Sequence, residues 1–165
     1  MVDLTGITAL VAAVGVLFGV IYYVFDIGHQ VKVRKTDLIM RLHLHTCSEE
    51  FVTAYQKILN LKFDDYEDFV NKYGPLSADG PEQKAITMIS FFMEGVGVLL
   101  HQGLADIDAI RELFPVEKGW TKLKPLLTGV RKDTDNLEAW KWYEYLYDEV
   151  KKREKSLSRR PSRLR

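Results

Sequence analysis

The stretch SFFMEGVGVLLHQGLADID, residues 90–108, sets Glu94, Gly95 and Gly97 inside an otherwise apolar run near the middle of the chain. Followed back to Pro81, the spacing is helical: Ile86, Ile89, Phe92, Met93, Val96, Leu99 and Leu100 make one wide apolar face, and Phe91 and Val98 add to the remaining circumference. A helix apolar on nearly all sides packs against several neighbours, so this segment is predicted to be the central helix of a bundle. Pro81 suits a first helical position after Asp79 or Gly80, and Gly103 suits the stop after Gln102. A carboxylate in such a helix has to be paired or protonated. Arg111 and Arg131 are the expected partners of Glu94, in a structural ion pair. The two glycines cost about 1 kcal/mol each in helix propensity and are expected to let a second helix approach.

Outward from this helix the chain keeps the same period. Phe51, Tyr55, Ile58 and Leu59 share a face in residues 48–60, with Thr46 or Ser48 as the cap and Glu49 completing a capping box with Thr46. Residues 63–74 repeat the logic: Asp64 or Asp65 begins a helix, Tyr66, Phe69 and Val70 face inward, and Gly74-Pro75 ends it. Asp106 caps a short helix that stops near Phe114-Pro115. Residues 119–133 form another helix, interrupted or restarted at Pro125, and a last one starts after Thr134 or Asp135 and runs into the basic tail as far as Lys155. On that last helix Trp140, Tyr143, Tyr147 and Val150 face the core, while Trp142 and Tyr145 cover another side of the bundle or offer a partner surface. No alternating β-branched run or Asn-Gly hairpin signal occurs. The fold class is therefore all-α, with five to seven helices after the N-terminal segment.

Residues 4–25, LTGITALVAAVGVLFGVIYYVF, contain no charge. As a helix they reach about 33 Å, enough for a hydrocarbon core of about 30 Å. They are read as one transmembrane helix, with Tyr22 and Tyr23 at the interface. A cleaved leader is disfavoured, since no Lys or Arg precedes the run and no small-residue cleavage pattern follows it. Lys32, Arg34, Lys35 and Arg41 follow the span and only Asp3 precedes it, so the N-terminus is expected outside and residues 26–165 in the cytoplasm, at the cell membrane. Gly15 and Gly19 form a GxxxG through which two copies can associate as a homodimer. Gly28 allows a hinge before a continuation helix carrying Val31, Leu38, Ile39 and Leu42. The single cysteine, Cys47, excludes an intramolecular disulfide.

The charge totals cancel, 23 basic against 23 acidic, but their distribution does not. Residues 151–165 hold Lys151, Lys152, Arg153, Lys155, Arg159, Arg160, Arg163 and Arg165 against Glu154, a balance of +7, which leaves −7 on residues 1–150. This segment is read as a disordered basic tail. Its nearest counter-ions in a tethered chain are anionic lipid headgroups, with nucleic acid as the less favoured partner. The expected organisation is residues 1–27 for the terminus and span, 28–150 for a cytoplasmic helical domain, and 151–165 for the tail.

The remaining candidate sites weigh toward structure. His43, His45 and Cys47, with His101, offer metal donors, but only His43 and Cys47 lie one helical turn apart, and no metal or cofactor is expected. Asp106 and Asp108 are explained by capping and by the helix dipole. No GxSxG, HExxH or P-loop pattern occurs, and no catalytic residue is assigned. A rival reading makes the chain a membrane-tethered enzyme using Glu94 with Arg131 and His101.

The order of the apolar N-terminal run, TDLIMRLHLHTCSEEFVTAYQKILNLKFDDYEDFVNKYG, ISFFMEGVGVLLHQGLADIDAIREL, GWTKLKPLLTGVRKD and WYEYL resembles a family of uncharacterised prokaryotic membrane-anchored proteins, domain of unknown function family 4760. The resemblance covers about residues 5–150, is most specific in residues 91–108 with Trp120 and Arg131, and excludes the basic tail. It implies one membrane span and a cytoplasmic helical domain, and it implies no activity. The favoured function is a single-pass membrane protein whose helical domain is an interaction or scaffold module for an unknown protein partner.

Overall fold

The computed structural model describes residues 4–159. They form seven helices: α1 (Leu4–Thr46), α2 (Glu49–Asn60), α3 (Tyr66–Tyr73), α4 (Pro81–His101), α5 (Ile107–Leu113), α6 (Val116–Asp133) and α7 (Lys141–Ser158). No strand occurs among the described residues, so the chain is all-α. It divides into two compact units between Leu38 and Ile39.

The first unit is a length of α1. Val16, Phe18, Tyr22 and Phe25 along it are each about two-thirds exposed or more. The helix is long and apolar enough to cross a membrane, which makes it a candidate span. Helical structure continues through Gly28, where a hinge was expected. Gln30 donates to Asp26 Oδ2 at 2.7 Å and so straddles the glycine with a side-chain bond on the helix surface.

The second unit is a helical bundle built on α4, which packs against α7 and α2. Ile86, Ile89 and Met93 are fully buried. α4 is also long and apolar enough to span a membrane, but that burial identifies it as the core helix of the bundle. Its apolar face is narrower than the sequence suggested, since Phe91 is 64% exposed. α3 lies on α6, α6 contacts α2 and α7, and α5 lies on α7.

Local chemistry sets most boundaries. Ser48 caps α2 by accepting from Phe51 N, whereas the Thr46 hydroxyl instead donates back to His43 O at the end of α1. Asp65 caps α3 and Asp106 caps α5, each accepting from first-turn amides. Pro81 opens α4 after Gly80, and Gly103 turns the chain away at φ +68°. Gln83, buried in the first turn of α4, donates to Tyr73 O at 2.6 Å and ties down the end of α3.

Three expectations are corrected. α6 passes through Pro125 unbroken. The lost backbone bond and ring clash cost about 3 kcal/mol, but Leu123, Leu126 and Leu127 beside it are all fully buried, each stabilising by about 1.5–3 kcal/mol. The last helix begins at Lys141, not after Asp135. Residues 134–140 instead wrap around Arg131, whose Nε donates to Ala139 O at 2.6 Å, with Asp135 and Trp140 at positive φ. Finally, the last helix, expected to run into the basic tail as far as Lys155, continues to Ser158, so residues 151–158 of the segment read as a disordered tail are regular helix. Arg160, Arg163 and Arg165 lie outside the described residues.

Candidate functional site

Glu94 meets the N-terminal turn of α7. Trp140 precedes that helix in the left-handed region at φ 55° and makes no side-chain capping bond. The first amides of a helix lack intrahelical partners and carry positive potential. Glu94 Oε2 accepts from Tyr143 N at 2.8 Å, so a carboxylate on α4 caps α7 across the interface. Gly97 makes this approach feasible: a Cβ there would lie 2.1 Å from Trp142 O and 2.6 Å from its carbonyl carbon. A Cβ at Gly95 would meet nothing within 4 Å. The expected close approach therefore belongs to Gly97 alone.

The predicted ion pairs with Arg111 and Arg131 do not form. Arg131 Nη1 instead binds Glu144 Oε2 at 2.6 Å, and Arg111 pairs with neighbouring Glu112. His101 lies against the rings of Trp142, at 4.4 Å between centroids, and Tyr145. Glu94, Arg131 and His101 thus converge on Tyr143, Glu144 and Trp142, three consecutive residues of one helical turn. Each group therefore has its own partner on α7, and Glu94 and His101, seven residues apart on α4, stand about 10 Å apart along that helix. Trp142 and Tyr145 cover the bundle at this corner.

A groove of about 1010 Å³ lies between α3 and α6 and reaches α7, with Tyr66, Trp120, Lys124, Pro125 and Tyr147 among its walls. The Tyr66 hydroxyl donates to Asp133 Oδ2 at 2.8 Å and joins α3 to the end of α6. That bond to a carboxylate pushes the phenol pKa upward. Gly129 lets α3 cross tightly, since a Cβ there would lie 2.1 Å from Tyr66 Cβ. Gly119, about three turns earlier in α6, accommodates the buried Tyr143 hydroxyl, 2.5 Å from where its Cβ would stand. Sequence reasoning missed both glycines, and their place in an apolar helical repeat was the available signal. Pro125, read as a break, sits on the groove wall.

The basic end of α7 is partly committed to the bundle. Lys151 pairs with Glu117 of α6, and Arg153 grips Asp108 of α5 with two nitrogens, the Nε contact at 2.7 Å. These hydrogen bonds raise the pKa of both cations. Lys152 pairs with Glu149 on its own helix, and Lys155 and Arg159 are exposed.

In the HLHTC stretch, Cys47 Sγ stands 3.8 Å from His43 Nε2, while the His45 ring turns onto Phe51 and Phe92. Among the described residues no group of three or more His, Cys, Asp or Glu side chains is arranged to hold a metal. A Cβ at Gly15 or Gly19 would meet nothing within 4 Å, so that face of α1 is open.

A family model described as a domain of unknown function, DUF4760, matches residues 9–150. No curated protein and no solved structure matches the chain.

Proposed function

The chain belongs to the DUF4760 family, and from that premise we propose that it is a single-pass membrane protein whose helical domain binds another protein from the cytoplasmic side of the cell membrane. The exposed apolar surface of α1 up to Phe25 supports the anchor, and Lys32, Arg34, Lys35 and Arg41 further along the same helix support the orientation. The groove between α3 and α6 carries the binding reading. It is bounded by Trp120, Tyr66 and Tyr147, with Lys124 and Lys132 on one side and Asp65 and Glu67 on the other. Aromatic walls with charges of both signs suit a peptide segment, in which apolar anchors supply energy and rim charges fix register. The open Gly15/Gly19 face supports a homodimer through α1 as a further association. Anionic lipid is the proposed contact of the basic C-terminal segment, in preference to nucleic acid.

The enzyme reading has less support, because Glu94, Arg131 and His101 are each engaged with a different residue of α7.

Two experiments test the proposal. Cys47 is exposed and is the single cysteine, so a membrane-impermeant maleimide should label it only after cells are opened. Labelling of intact cells overturns the orientation. A photocrosslinking residue at Thr121, on the groove wall, should capture a defined protein that the same residue at Glu112 on α5 does not. Identical capture from both positions, or capture from neither, overturns the groove as the binding site.

A further inference from the structure

The eight basic residues of the C-terminal segment are not equivalent. Lys151 and Arg153 point to the bundle, where each has an acidic partner on another helix and a side chain only 31% exposed. Lys152 is 71% exposed, and its partner Glu149 lies on the same helix surface, where an ion pair contributes little. Lys155 and Arg159 are exposed. Positions 152, 155 and 159 follow i, i+3, i+7 spacing and therefore share one face of α7. That face is opposite Leu146, Val150 and Leu157, which lean toward the core side of the helix. The bundle thus sorts the basic segment, pairing two cations with acids on other helices and turning a stripe of three outward. Arg160, Arg163 and Arg165 follow the stripe in sequence.

We infer that the Lys152–Lys155–Arg159 face of α7 is a docking surface for anionic lipid headgroups, and that Lys151 and Arg153 are bundle contacts that take no part in it. The inference rests on the membrane-tethered reading and names the residues through which the domain meets the surface. The occupant follows from charge complementarity. A flat row of cations on a regular helix, without an apolar anchor among them, fits a surface of negative headgroups. A chain carrying its own span holds such a surface at high local concentration. Each basic residue near an anionic surface changes the docked-to-undocked ratio about 5-fold, so removing two changes it about 25-fold.

The test uses the full chain in lipid nanodiscs, with Cys47→Ser and a donor fluorophore on Ser158→Cys, and an acceptor on the lipid headgroups. Energy transfer should be higher with phosphatidylserine than with phosphatidylcholine alone, and should fall as salt rises. Lys155→Gln with Arg159→Gln should lower the docked ratio about 25-fold. Lys151→Gln with Arg153→Gln should leave it within about 2-fold, with circular dichroism reporting that each variant remains helical. Equal loss from both pairs, or greater loss from Lys151 and Arg153, overturns the assignment of the face while leaving lipid attraction intact. No response to phosphatidylserine in the parent chain refutes the lipid reading itself. A single-stranded oligonucleotide that binds the parent in phosphatidylcholine discs and is lost with Lys155→Gln and Arg159→Gln assigns the face to nucleic acid and overturns the inference.

Discussion

Replacing Gly97 by alanine tests the α4–α7 junction most directly, because two glycines two residues apart are predicted to respond with opposite signs. A Cβ on residue 97 would stand 2.1 Å from Trp142 O, against about 3.4 Å for ordinary contact, so the start of α7 must retreat by about 1.3 Å. The contact is backbone and has no rotamer by which to escape. The same retreat stretches the bond from Tyr143 N to Glu94, now 2.8 Å, beyond useful range. Overpacking of this kind costs about 1–3 kcal/mol, and the lost charge-assisted cap adds about 1–2 kcal/mol. The gain in helix propensity on leaving glycine returns about 1 kcal/mol, so the net loss is about 1–4 kcal/mol. Gly95→Ala gains the propensity term without a clash, since open space surrounds it, and should stabilise by about 0.5–1 kcal/mol. Urea unfolding of the detergent-solubilised chain, followed by tryptophan fluorescence, reads both. Equal responses of the two variants, or a Gly97→Ala chain as stable as the parent, would refute the close approach and with it the account of Glu94.

Glu94→Ala should lose about 2 kcal/mol in the same assay, and Glu94→Gln, which keeps an acceptor oxygen without the charge, about 1 kcal/mol or less; a larger loss for Gln than for Ala contradicts the capping role. In the Gly97→Ala background, where that bond is already stretched, Glu94→Ala should cost clearly less than alone, and full additivity argues that the two residues act separately. The buried Tyr143 hydroxyl has no protein partner among the described residues, so Tyr143→Phe should hold or raise stability by about 1 kcal/mol, and a loss above 1 kcal/mol would show a bond that the geometry lacks. Burial raises the pKa of Tyr143 and pushes that of Tyr55 up to about 12. Above pH 10 the unfolded tyrosines release protons that the folded ones keep, so stability present below pH 10 is lost as pH rises toward 12. Tyr143 should contribute about 1.4 kcal/mol per pH unit to that fall, and Tyr143→Phe should flatten the urea-midpoint profile there; an unchanged profile refutes the assignment. Pro125→Ala restores a bond to Thr121 O within an unbroken helix and should stabilise by about 1–3 kcal/mol; destabilisation in thermal melts would show that the proline shapes α6 as well as interrupting its ladder.

Much of the fold was legible because its signals are local. Ser48, Asp65 and Asp106 sit where short oxygen-bearing side chains reach first-turn amides, and Pro81 and Gly103 bracket α4 through their backbone preferences. The apolar periodicity of residues 86–100 and the uncharged run of 4–25 likewise depend only on residue order. Sequence alone therefore determined the all-helical class, the central helix, the candidate membrane span and the family.

Partners across helices were decided by tertiary structure. Glu94 was matched with arginines because side-chain charge is visible in a sequence, whereas the positive end of α7 arises from aligned peptide groups and exists only once that helix starts at Lys141. That start depends in turn on Arg131 holding Ala139 O, a contact between α6 and the loop before α7. The same kind of encounter separates Gly97 from Gly95, carries α6 through Pro125, and divides Lys151 and Arg153 from Lys155 and Arg159. Residue types and spacings specify which segments become helices. The direction each side chain faces, and the backbone it meets there, is fixed only when the helices pack, because a 1 Å change in approach is enough to exchange one partner for another.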